Sequence, residues 1–283
     1  MSLDSTPVPL GTVGVFAGQW ALNGERAAAI EQLGYGAIWI GGSPAAELGI
    51  VEQLLAATST ISVATGIVNI WTADADAVAA SYHRLEAAYP GRFLLGVGVG
   101  HPEANKPYTK PYQAMVDYLD VLDAHGVPTQ RRALAALGPR VLKLSAERSA
   151  GAHPYLVPTA YTSEARELLG AGPLLAVEHK VSLGSDPAAA RAVGRAAVDN
   201  PYLHLENYRS NLRRLGYTDE DLNNGGTDAL IDALVALPDP ARAAAEVSAH
   251  LAAGADHVCV HALPDADDPL PTLRALAEAL ELD

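Results

Sequence analysis

The sequence predicts an α/β protein, a (β/α)8 TIM barrel formed as one domain over residues 1–283. Three observations predict it. Eight short apolar runs alternate with helix-like stretches, the helix-like stretches carry start and stop signals, and the length is close to the roughly 250 residues of one barrel domain.

The strand-like runs are GTVGVFAG (11–18), AIWIGG (37–42), SVATGIVNI (62–70), FLLGVGVG (93–100), RRALAALG (131–138), AHPYLVP (152–158), LLAVEHKVSL (174–183) and HVCVHAL (257–263). Runs this apolar match parallel strands covered on both faces. Helices are expected over 25–33, 49–57, 74–88, 111–124, 139–149, 163–169, 187–200 and 270–280. Asp186-Pro187, Gly138-Pro139 and Thr162-Ser163 supply cap or first-turn chemistry, and Gly34, Gly126 and Gly170 stand where helices end. Right-handed crossovers repeated in this way close a barrel more naturally than an open sheet. Residues 201–238 exceed the repeat and form an inserted helical segment between strands 7 and 8, suited to cover a pocket, to mediate dimerisation or simply to pack on the surface.

Net charge is −14 with a pI near 5.0, which argues against nucleic acid and anionic membranes as partners, since both need a basic footprint. The single Cys259 cannot form an internal disulfide, and no apolar run approaches the roughly 18 residues of a membrane span, so a cytoplasmic location is expected.

The run GRFLLGVGVGH places Gly96, Gly98 and Gly100 on alternate positions and ends on His101. Alternation puts Leu95, Val97 and Val99 on one face and leaves space on the other. That space suits either a flat ring lying against bare backbone or a tight barrel strand. A dinucleotide fingerprint does not fit, because GVGVGH lacks the G-x-G-x-x-G spacing and Pro102 follows with no helix. His101 lies just past the strand end, on the barrel face where active sites form, and a histidine can exchange protons near neutral pH.

Five segments together resemble the bacterial luciferase-like flavin and deazaflavin oxidoreductase family: LGYGAIWIGG, ATGIVNIW, YPGRFLLGVGVGH, ALGPRVLKLSAERSAGAHPYLV and GADHVCVH. More narrowly, the chain resembles an actinobacterial branch assigned to the deazaflavin coenzyme F420. The resemblance spans essentially the whole chain. It implies hydride transfer between F420 and a small organic substrate, with an FMN-dependent monooxygenase on the same scaffold, or a catalytically silent cofactor-binding relative, as alternatives. It implies catalytic or substrate contact at His101. It places the ring near Gly98, Gly100, Gly42 and Asn69, over a non-proline cis peptide at Gly66-Ile67. Gly138, Pro139 and Arg140 are implied to hold a phosphate tail, a role that helix-start amides and a guanidinium suit on physical grounds too. Gly151, His153 and Tyr155 on the next strand are implied near the cofactor, and a homodimer through helices 74–88 and 111–124 is expected.

One departure stands out. Sugar-phosphate dehydrogenases of this family end the second strand on an Asp-His pair, whereas Gly42 and Ser43 stand here. Glucose-6-phosphate oxidation is therefore not expected. The chain also has no H-E-x-x-H pair and no G-x-S-x-G elbow, so neither a metal nor a serine nucleophile is expected.

Overall fold

The computed structural model describes residues 6–103, 105, 108–265 and 268–282. Its parallel strands are β1 (Val13–Gly18), β2 (Ala37–Gly41), β3 (Ser62–Thr65), β4 (Val68–Asn69), β5 (Phe93–Gly98), β6 (Arg132–Leu134), β7 (Gly151–Ala152), β8 (Leu174–Val181), β9 (Val235–Ala236) and β10 (His257–Ala262). The hydrogen-bonded order runs β10-β1-β2-β3-β5-β6-β7-β8, and β8 pairs with β10 to close the ring. β4 continues the β3 stave and pairs with β5, while β9 lies parallel alongside the last two residues of β8. Eight staves thus form a closed barrel.

Helices surround it in sequence: α1 (Gly24–Gln32), α2 (Gly49–Ala56), α3 (Ala75–Ala88), α4 (Pro111–Ala124), α5 (Pro139–Arg148), α6 (Thr159–Leu169) and α7 (Pro187–Asp199). The insertion follows as α8 (Glu206–Arg214), α9 (Asp219–Leu222) and α10 (Asp228–Leu234), before α11 (Pro240–Ala252) and, after β10, α12 (Leu270–Ala279). Asn23, Asp74, Asp186, Thr218, Thr227 and Asp239 each cap a helix by accepting a backbone N–H. Among the described residues no helix is long and apolar enough to cross a membrane.

Outward strand residues such as Val15, Ile38, Val63, Leu95, Val97, Val177 and Val258 meet the helices in the main core. Inward residues Phe16, Trp39, Ala64, Leu94, Ala133, Ala176 and Cys259 fill the barrel itself. The insertion packs on a third cluster of its own, centred on Leu203, Leu212, Leu230 and Ile231.

Several strand expectations are corrected. The fifth and sixth runs, 131–138 and 152–158, shrink to Arg132–Leu134 and Gly151–Ala152. Pro154 and Pro158 lack ladder donors and Leu156 turns to φ +56°, so the chain leaves the sheet early and α6 starts at Thr159 rather than at 163. The third run breaks at Gly66, and the fourth ends at Gly98 rather than 100.

Candidate active site

The strands end in a cavity of about 1280 Å³ at the carboxyl face of the barrel. That volume exceeds the usual range for a single small ligand, roughly 300–1,000 Å³. Of the residues expected at a site, Gly42, Gly66, Ile67, Asn69, Gly100, His101, Gly138 and Arg140 all line it. Gly98, Pro139 and Gly151 are not among its lining residues.

The floor is made where the third stave breaks. The Gly66–Ile67 peptide is cis, as the resemblance implies. Thr65 repairs the interrupted ladder with its side chain, accepting from Gly96 N and donating to Gly96 O, both at 2.8 Å. This contact corrects the reading of the glycine face. A Cβ at Gly96 would lie 1.8 Å from Thr65 O, and one at Gly98 would lie 2.7 Å from Ile67 Cγ1 and 3.0 Å from Ala135 Cβ. The space beside these two glycines is filled by the neighbouring staves, and only Gly100, at φ +57°, reaches the cavity. Gly151 is likewise pressed against a strand, with Leu174 O 1.9 Å from any Cβ.

Beneath Gly66 lies His153, stacked on Trp39 with centroids 4.1 Å apart and donating Nδ1–H to Ala176 O at 2.9 Å. Its Nε2 is buried without a hydrogen-bond partner among the described residues. Asn69 spends its amide on Asn105 Oδ1 at 2.8 Å and its oxygen on Trp71 N at 3.0 Å. Trp71 is a packing residue, donating to Val99 O at 2.7 Å.

His101 is half-buried against Tyr208, with ring centroids 5.5 Å apart. Asn105 holds its carbonyl through both backbone and side-chain N–H groups. Burial draws the His101 pKa below 6.5, opposed by Asn207 and Glu103, so the neutral ring is favoured. Arg140 is exposed at the start of α5, where no side chain caps the helix. It stacks on Tyr112 at 3.6 Å and forms no ion pair among the described residues. Gly42 and Ser43 lie open at the rim beside Trp20, the one exposed large apolar side chain among those described.

Of a second polar group at the cavity, only Tyr155 was among the expected residues. Inward positions of β8 and β10 bring together Glu178, Lys180 and His261, joined by Tyr155, Tyr202 and Asp265. Lys180 Nζ donates to Tyr155 Oη at 2.5 Å and Glu178 Oε1 at 2.9 Å, and lies 3.2 Å from His261 Nδ1. Burial alone would raise the Glu178 pKa, but Lys180 and His261 outweigh it and hold the carboxyl down to about 2. The sequence signal was the polar stretch Glu178-His179-Lys180 inside an apolar run, whose first and third residues fall on one face of the strand and mark it as not simply packed.

Three other histidines are buried and neutral. Burial lowers the pKa of His153 and His257 to about 4 and of His250 to about 3. His257 donates to Gly11 O and accepts from Trp39, and His250 bonds Thr162 and His179, so none of these rings needs charge. Folded values below the unfolded 6.5 mean that the unfolded chain binds the extra protons. Stability is therefore complete above pH 6.5 and falls below it, each ring contributing about 1.4 kcal/mol per pH unit. Urea unfolding midpoints at pH 7.5, 6 and 5 should drop steeply over the last interval. A flat profile down to pH 5 would contradict this.

Comparison with known proteins places the fold. A family model described as luciferase-like monooxygenase matches residues 9–257. The chain belongs to that family. The luciferase-like barrel is also shared with an F420-dependent secondary alcohol dehydrogenase in complex with an F420-acetone adduct, at TM-score 0.72 and 15% identity over 96% of this chain and 98% of the other. The coenzyme F420-dependent tetrahydromethanopterin reductase of Methanopyrus kandleri aligns at TM-score 0.68 and 16% identity, covering 98% and 100% of the two chains. The oxygenating constituent of 3,6-diketocamphane monooxygenase of Pseudomonas putida, a type II Baeyer-Villiger monooxygenase in complex with FMN, aligns at 0.69 and 15%, covering 95% and 96%. A search of curated protein sequences gives no significant match.

Proposed function

We propose that the protein is an F420-dependent oxidoreductase that moves a hydride between the deazaflavin C5 and a small organic substrate held in the same cavity. The observation that carries this reading is the pairing, in one large cavity, of a flat floor made by the Gly66–Ile67 backbone with the Phe16 and His153 rings beneath it, and of the Arg140 guanidinium, without an ion pair among the described residues, at a helix start that no side chain caps. A planar ring with an anionic tail matches both ends. When bound, such a cofactor supplies the hydride; the chain supplies orientation, water exclusion and proton handling. Gly66 and Ile67 would support the ring, Gly138 and Arg140 would hold the tail, and His101 would face the substrate side with a neutral ring able to take a proton.

FMN-dependent monooxygenation is the second reading, supported by the family description and by the FMN-bound neighbour. Oxygen uptake separates the two, because only the monooxygenase consumes oxygen in step with substrate.

Arg140→Ala tests the placement. It should weaken a phosphate-bearing deazaflavin by roughly 10- to 100-fold, as expected for one charge-assisted bond, while leaving a deazaflavin without the tail nearly unaffected. Equal weakening of both ligands would refute it.

A further inference from the structure

We infer that Tyr155, backed by His261 and Asp265 and braced by Lys180, exchanges a proton with an oxygen atom of the substrate, so that the substrate is an alcohol or the corresponding carbonyl compound. The substrate class rests on the hydride-transfer reading above, whereas the proton site stands on its own geometry.

The donors and acceptors around Tyr155 fix where its proton points. Its oxygen accepts from Lys180 Nζ at 2.5 Å and from Tyr202 Oη at 3.0 Å. The remaining partner is His261 Nδ1 at 3.3 Å, a nitrogen that Lys180 Nζ and Glu178 Oε1 also face at 3.2 Å each; with its oxygen already accepting from Lys180 and Tyr202, the phenol's own hydrogen lies toward that nitrogen. An accepting Nδ1 leaves the ring proton on Nε2, which faces Asp265 Oδ1 at 3.0 Å. Asp265 is itself held by Gly18 N at 3.3 Å.

The same cluster accommodates the proton after transfer. With Nδ1 protonated, His261 donates to Glu178 Oε1 at 3.2 Å and keeps its bond to Asp265. The Tyr155 oxygen, which takes up the substrate proton as its own leaves, stays against the Lys180 ammonium, and Leu156 N holds the other Glu178 oxygen at 3.0 Å. Both proton states therefore have their charges paired in a buried setting, which a merely structural tyrosine does not need. In the resting state, burial first, then Tyr202 and Glu178, raise the Tyr155 pKa and keep the phenol protonated. The remaining titratable neighbours are Tyr208, packed edge-on to Tyr202, and Cys259, in register with Glu178.

Tyr202 is the replaceable partner. It comes from the insertion, is half-buried, and lines the cavity with Tyr155, Lys180, His261 and Asp265. A substrate hydroxyl in its place would donate to Tyr155. In oxidation the substrate O–H bond breaks as a new Tyr155 O–H forms, and the former Tyr155 proton forms the N–H at His261 Nδ1. The carbinol carbon gives up its hydride, with both electrons, to the deazaflavin-class acceptor, and the C=O bond forms. Reduction runs the same transfers in reverse.

The test uses 4-nitrophenol and its isostere 4-nitrotoluene, titrated into cofactor-free protein. The parent should bind 4-nitrophenol at least about tenfold more tightly than 4-nitrotoluene, and the bound probe should show the phenolate spectrum at a pH where the free probe is mostly phenol. Tyr155→Phe, which retains the ring packing on Phe16, should lose both effects while circular dichroism stays unchanged. Retention of both effects in Tyr155→Phe, or a parent-bound probe that remains the phenol, would overturn the inference. If the variant does not fold, the parent spectrum alone decides. Because no cofactor is present, failure of F420 to bind would fall on the hydride-transfer reading and leave the proton site standing.

Discussion

Glu178→Ala should destabilise the fold by about 3–5 kcal/mol, because it strands the Lys180 ammonium, 1% exposed, inside the barrel. Lys180 would keep only Tyr155 and His261 as partners, and Leu156 N would lose its acceptor. Replacing the pair together, Glu178→Leu with Lys180→Met, should recover most of that loss, since the stranded charge goes with it. Urea unfolding of the single and double variants measures both. A single variant within about 1 kcal/mol of the parent would show that the ion pair is not held as described.

Gly96→Ala should be among the most damaging single methyls in the barrel. Its Cβ would fall 1.8 Å from a backbone oxygen, Thr65 O, and the collision cannot be relieved without opening the β3–β5 contact that the Thr65 side chain closes. The loss should lie at or above the top of the ~1–3 kcal/mol range for overpacking. Gly98→Ala meets only the side-chain atoms of Ile67 and Ala135, which can shift, and should cost about 2 kcal/mol less. Equal unfolding midpoints for the two variants would contradict the difference in their surroundings.

The barrel was legible because its repeat is written in hydrophobicity. Each buried strand is an apolar run, and Asn, Asp, Thr or Pro opens most helices. The short β6 and β7 were not, because an apolar run through Pro154 looks like a strand to a reading of hydrophobicity although it cannot complete a ladder. Helix α11 also went unassigned, lying between the insertion and the last strand.

The rim of the site was legible in part. Gly66-Ile67, His101 and Gly138 to Arg140 each stand at a strand end or helix start, where position alone suggests a role. The Gly96 and Gly98 face misled, because an absent side chain looks the same in sequence whether a ligand or a neighbouring strand fills its place. The Tyr155–Lys180–His261 group is assembled from three separate staves or their ends plus Tyr202 of the insertion. Tyr155 and His261 stand 25 and 81 residues from Lys180 in the sequence and meet it only through barrel closure and register, which no local pattern encodes.

The most direct measurement of the cavity's role is a titration of the purified protein with F420 and, separately, with FMN, followed by absorption and fluorescence. Saturable binding of F420, with FMN bound far more weakly and no oxygen uptake by the loaded, reduced protein, is the expected result. Tight binding of FMN with no saturable F420 binding, accompanied by oxygen consumption, would contradict the assignment.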